Sequence, residues 1–76
     1  MERGEHMPIV IAPPGRPLKI VRIAVDDKTR KHLENLGITL LGEVTVISSS
    51  GGSVVVKVKD GRIALDANLS AKIFVS

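Results

Sequence analysis

The stretch Ser53-Val54-Val55-Val56-Lys57-Val58-Lys59-Asp60-Gly61-Arg62-Ile63-Ala64-Leu65 constrains the fold more than any other part of the chain. In an extended backbone Val54, Val56 and Val58 share one face, while Lys57 and Lys59 share the other. The sequence predicts Asp60-Gly61 as a two-residue hairpin loop of the type that needs positive φ at both positions. Ile63 and Leu65 then return on the buried face. A hairpin with one apolar face is marginal alone, so further strands must cover it. The composition supplies them: 43% of the 76 residues are apolar, and Phe74 is the only aromatic among them. A core of valine, isoleucine and leucine suits a pleated sheet, where β-branched side chains pack well.

The rest of the chain supports the same architecture. All four prolines, Pro8, Pro13, Pro14 and Pro17, lie in the first quarter and keep it extended and broken. Ile9–Ile11 is expected as an edge strand or as a segment lying across the end of a barrel, and Pro14-Gly15 as a turn. A strand is predicted over 18–25, with Leu18 and Ile20 on one face and Val21, Ile23 and Val25 on the other. A bulge near Ile20-Val21 reconciles the two halves. Asp26 or Asp27 caps a helix that ends at Gly37, a residue suited to the left-handed position after a helix. Leu33 and Leu36, three apart, are expected to anchor it. A strand over 43–47 buries Val44 and Val46, residues 48–52 form a flexible serine-glycine turn, residues 66–69 make one helical turn, and 72–75 close the set. The expected fold is therefore mainly β: a small SH3-like β-barrel of about five strands with one short α-helix. An OB-fold is the nearest rival but usually takes more chain. Residues 7–76 are expected to form the domain, and 1–6 to be a tag or a disordered N-terminus.

Several classes of function are disfavoured. The absence of cysteine in so small a domain points to the cytosol, where disulfides are not available. No apolar run approaches the roughly 20 residues of a membrane span, and no secretory leader is evident. A net charge of +3 is too mild to announce a nucleic-acid partner by itself.

The order of elements also resembles a known family. Pro14-Gly15-Arg16-Pro17-Leu18-Lys19-Ile20-Val21-Arg22-Ile23 is similar to the opening of the FeoA family, and Leu33-Glu34-Asn35-Leu36-Gly37-Ile38 to its helix-end signature. Val44-Thr45-Val46 resembles its next strand. Val54 to Leu65 resembles its hairpin, and Ala71-Lys72-Ile73 with Val75 its closing strand. The likeness runs from Pro13 to Val75. In two places this chain departs from the family pattern. The glycine after the helix exit, Gly42, stands one position later than the family's Pro-Gly, and Ala12 replaces a leucine before the opening turn. The resemblance implies a cytoplasmic accessory protein of ferrous iron uptake. Its implied partner is the cytoplasmic, nucleotide-hydrolysing domain of the large (FeoB-type) iron transporter. The same domain ends certain metal-responsive repressors; the free-standing accessory form is the expectation here.

The residues offer little chemistry. His32 has no strong ligand at helical spacing, so no metal site and no cofactor are expected. Asp26 and Asp27 read as helix caps. The serines of the 48–53 stretch have no histidine base beside them, and Gly51-Gly52 lacks the lysine and helix of a phosphate-binding loop. No enzymatic activity is expected. Lys57, Lys59 and Arg62 make a basic hairpin, but with Phe74 alone there is no aromatic platform for single-stranded bases. Nucleic-acid binding is therefore the alternative and protein binding the expectation. The surface expected to carry it comprises Lys28, Arg30, Lys31, Leu36, Gly37, Leu40 and Leu41. Leu40 and Leu41 are expected to plug the barrel's end; if exposed, they form a contact patch or a self-association seam. Edge strands in so small a barrel also make a homo-oligomer an expectation.

Overall fold

The computed structural model describes residues 6–59 and 61–76. Its elements are β1 (Met7–Pro8), a 3₁₀ turn (Ile9–Ile11), β2 (Pro17–Ile23), α1 (Asp27–Asn35), β3 (Glu43–Ser50), β4 (Ser53–Val58), β5 (Gly61–Leu65), α2 (Ala67–Ser70) and β6 (Ile73–Val75). The six strands make one antiparallel sheet in the order β1-β6-β2-β3-β4-β5. The mainly-β expectation holds, with one strand more than expected because Met7-Pro8 pairs with Val75 and Phe74.

The alternation of apolar residues explains why this sheet wraps on itself. Ile20, Val44, Val46, Val54, Val56, Leu65, Ile73 and Val75 are each at most 2% exposed, and they join one cluster. Burying one face of every long strand in a single cluster requires a coiled sheet, the SH3-like solution. The 3₁₀ turn closes one end: Ile9 is fully buried and the turn packs against β4, β6 and α2. Residues 9–11 thus lie across the barrel's end, as one of the two expectations has it.

The predicted bulge in β2 is present. The β2–β6 register slips between Ile20 and Arg22, which lets Leu18, Ile20 and Ile23 all face the core. A second slip between Val46 and Ser48 in β3 turns Ile47 outward.

The turns differ from expectation in an instructive way. Residues 48–50 belong to β3, with Ser48, Ser49 and Ser50 opposite Val55, Val54 and Ser53. The turn itself is only Gly51-Gly52, with φ of 60° and 88°, the two consecutive positive values that a tight hairpin of matching twist demands. Gly61 pairs with Val58 and is already part of β5 rather than of the turn. Asp60, the other half of the expected turn, lies outside the described residues, as do residues 1–5 of the expected N-terminal tag.

Both helices begin on an aspartate. The Asp26 carboxylate accepts from Thr29 N–H at 2.9 Å, and that of Asp66 from Leu69 N–H at 2.8 Å. Ser70 is the buried polar side chain of the core, and its hydroxyl donates to the Gly52 carbonyl, tying α2 to the β3–β4 turn.

Candidate partner-binding site

The site is built where α1 leaves its last turn. Gly37 N–H donates to Glu34 C=O at 3.0 Å and Ile38 N–H to Leu33 C=O at 2.9 Å, with Gly37 at φ 102°. That double bond pattern is a Schellman cap, whose usual accompaniment is an apolar contact between the residues where Leu33 and Ile38 stand here. Both are essentially fully buried. Helical spacing predicts that Leu36 shares the anchoring with Leu33, but it is 42% exposed. The cap explains the exchange, because reversing the chain at Gly37 delivers Ile38 to the core in its place.

The next turn is unusual. Gly42 N–H donates to Thr39 C=O at 3.0 Å, so Leu40 and Leu41 are its central pair, and Leu41 has φ 65°. A positive φ at the second central position is the pattern of a type II turn, which favours glycine there. Leu41 N–H donates to Ile20 C=O at 2.7 Å, and Ile20 N–H to Gly42 C=O at 2.9 Å. The turn therefore satisfies the backbone of β2 at its bulge, and this holds the strained residue in place. The expectation that Leu40 and Leu41 plug the barrel is overturned: they are 48% and 72% exposed. Their backbone is consumed by the bulge, so their side chains point away from the core.

Between these features runs a trough. One part, of about 420 Å³, lies between Leu36 and Gly37 on the helix side and Val58, Arg62 and Ile63 on the sheet side. The adjoining part, of about 720 Å³, reaches Thr39, Gly42 and Thr45 and is also lined by Lys57. Gly37, Val58 and Lys59 line both. A Cβ on Gly37 would come 3.3 Å from Val58 Cγ2, so the missing side chain sets how closely the helix exit approaches β4. Lys57, Lys59 and Arg62 give the sheet side a basic rim, while Glu34 and Glu43 also line the trough.

The seven residues expected at the site fall into three groups. Leu36 and Gly37 line the trough, and Leu40 and Leu41 stand on the turn between its lining residues Thr39 and Gly42. Lys28 and Lys31 are exposed on α1 but do not line it. Arg30 is turned inward: its Nη2 donates to Ile23 C=O at 3.3 Å and its Nε is buried. Sequence reasoning misses that the hairpin joins the site, although Gly37 is a signal, since a glycine after a helix can admit a close neighbour. The Asp26 carboxyl is held below the usual 3.8 by hydrogen bonds from the Thr29 side chain and backbone. Among the described residues no three of His, Asp or Glu converge as metal ligands, and no helix is long and apolar enough to cross a membrane.

The coiled antiparallel sheet, with α1 anchored on it and α2 before its closing strand, defines a small SH3-like domain. The FeoA domain model matches residues 7–76, and the chain belongs to that family. Among solved structures, an iron uptake regulatory protein (FeoA) is 22% identical with a TM-score of 0.82, covering 93% of this chain and 96% of that one. An FeoA-like protein from Clostridium acetobutylicum is 13% identical with a TM-score of 0.78, covering 97% and 88%. A manganese-dependent transcriptional repressor bound to manganese is 18% identical with a TM-score of 0.81; the match takes in 97% of this chain but 37% of the repressor. No curated protein matches.

Proposed function

We infer that this protein is an accessory factor of ferrous iron uptake that works by docking on the cytoplasmic, nucleotide-hydrolysing domain of the iron transporter. Family membership supports the iron-uptake role. The observation that carries the docking mode is the trough, with exposed Leu36 on its helix side, Lys57, Lys59 and Arg62 on its sheet side, and the exposed Leu40 and Leu41 on the turn between its lining residues Thr39 and Gly42. An apolar centre within a charged rim is the usual anatomy of a protein interface. The protein acts in the cytoplasm and carries no catalytic role of its own. Titration calorimetry against the purified cytoplasmic transporter domain, with GDP and with a non-hydrolysable GTP analogue, tests this. Saturable binding in at least one nucleotide state is expected; no heat in either would overturn it.

A second reading has one observation in its favour, the likeness to part of a manganese-dependent transcriptional repressor. In that role the domain would be one part of a metal-responsive repressor rather than an accessory of a transporter. Nucleic-acid binding by the domain itself is disfavoured by its lone aromatic, because Phe74 is half-buried with the Arg22 guanidinium 5.6 Å from its ring. A phosphate binder would lose affinity steeply with salt; a titration with single-stranded RNA at low and high salt is expected to show no binding.

A further inference from the structure

The geometry points to β5 as the docking edge for an extended acidic-and-apolar segment of a partner protein, which would add to the sheet as a seventh strand. β5 ends the sheet, and no strand lies beyond it among the described residues. The strand at the other end of the sheet, β1, is two residues long, so of the two terminal strands β5, with its five, offers the greater length for pairing. Its register fixes which groups face outward. Val58 pairs with Gly61 next to the hairpin loop, and the pair nearest a two-residue loop exchanges both of its hydrogen bonds. Alternation then commits Gly61, Ile63 and Leu65 to β4 and turns the N–H and C=O of Arg62 and Ala64 to the open edge.

The surroundings select the occupant. On the face of β5 carrying Ile63, the trough offers Ile63 itself and the exposed Leu36 to the added strand's apolar side chains, spaced roughly 6.8 Å apart along one face. On the other face Arg62 stands directly opposite Lys57, a like-charged pair that is unfavourable across two strands. The corresponding outer pair of β2 and β3, Lys19 opposite Glu43, is complementary. An acidic residue of an incoming strand, laid beside Arg62, adds a countercharge to a rim that is net basic among the described residues. Glu34 lines this part of the trough together with Arg62, and Glu43 lines the adjoining part with Lys57, so two carboxylates meet the three cations Lys57, Lys59 and Arg62 and the rim keeps a net positive charge. Native edges are often blunted by charge. Arg62 would do this against a neutral or basic strand while admitting an acidic one. This inference concerns how a strand is bound and does not depend on which protein supplies it.

The test uses the full chain, isotopically labelled, titrated with two capped heptapeptides, one alternating valine and glutamate and one alternating valine and lysine. The glutamate peptide is expected to shift the Arg62 and Ala64 amides and to slow their hydrogen exchange at least tenfold at saturation. The lysine peptide should bind at least tenfold more weakly, and Arg62→Glu should reverse the preference. Ala64→Pro removes an outward N–H without touching the β4 pairing, and should abolish the slowed exchange; if that variant does not fold, the Arg62→Glu reversal decides. Equal affinity for the two peptides would overturn the inference. So would unchanged exchange at Arg62 and Ala64, or the same shifts appearing with protein concentration alone, which would mean that a second copy takes the edge. Because the probe is a peptide, its failure is separate from any failure to bind the transporter.

Discussion

Leu41 carries two burdens, a left-handed backbone and a side chain 72% exposed. A non-glycine residue in that conformation is disfavoured by roughly 1–2 kcal/mol. Replacing it with glycine keeps the N–H that bonds Ile20 while removing the strain. Leu41→Gly is therefore expected to stabilise the fold by about 1 kcal/mol, less what glycine's freer unfolded state takes back; urea denaturation reads it. If the side chain belongs to the docking surface, the same variant binds its partner less well, separating stability from function. Gly42 explains why the turn tolerates no simple shift of its glycine: a Cβ there would stand 2.7 Å from Thr39 Oγ1 and 3.1 Å from its carbonyl. Asp26 gives a second prediction at this scale. Its folded pKa lies below 3.8, so its contribution is fully present above the unfolded value and fades as pH falls through the folded one. Asp26→Ala should lower Tm at pH 7, and the deficit should vanish in acid. Asp26→Asn, which can still cap, should hold its Tm near the wild type at pH 7 and lose that pH-dependent component.

At the scale of elements, α1 is held by very little. Leu33 is its one buried side chain, with Ile38 following in the cap. Leu33→Ala should cost about 2–5 kcal/mol. Its local signature would be faster amide exchange along α1 than in β3 and β4, whose valines are untouched. The hairpin is legible in the sequence because its valines alternate, and that one pattern sets both burial and register. Turn positions are less so. Asp60-Gly61 and Gly51-Gly52 both carry turn chemistry, and only the pairing of Val58 with Gly61 shows that Gly61 lies in the strand. The 48–50 serines resemble loop because polar residues on a solvated strand end leave no periodic signal. Leu36 misleads for a different reason: helical spacing places it beside Leu33, but the reversal at Gly37 is a property of the cap and gives the core to Ile38.

For the whole molecule, the coiled sheet follows from many weak choices agreeing: β-branched residues at period two, bulges where the period breaks, glycines at the β3–β4 turn and aspartates at both helix starts. That agreement is why the fold is legible in the residues themselves. The site is less so, because it joins an exit loop to a hairpin some twenty residues away, and sequence separation hides such a meeting. Lys57, Lys59 and Arg62 read as a basic patch of their own in the sequence, whereas the trough sets Lys59 and Arg62 opposite Leu36. The central claim is that this protein acts by docking through that trough. The most direct measurement is a map of amide shifts in the labelled protein on adding the cytoplasmic transporter domain. The account predicts changes concentrated at Leu36, Gly37, Val58, Lys59 and Ile63, with the outer surface of β2 and β6 around Arg22 and Phe74 unmoved. Changes centred on that surface instead, or none at a saturating concentration, would contradict it.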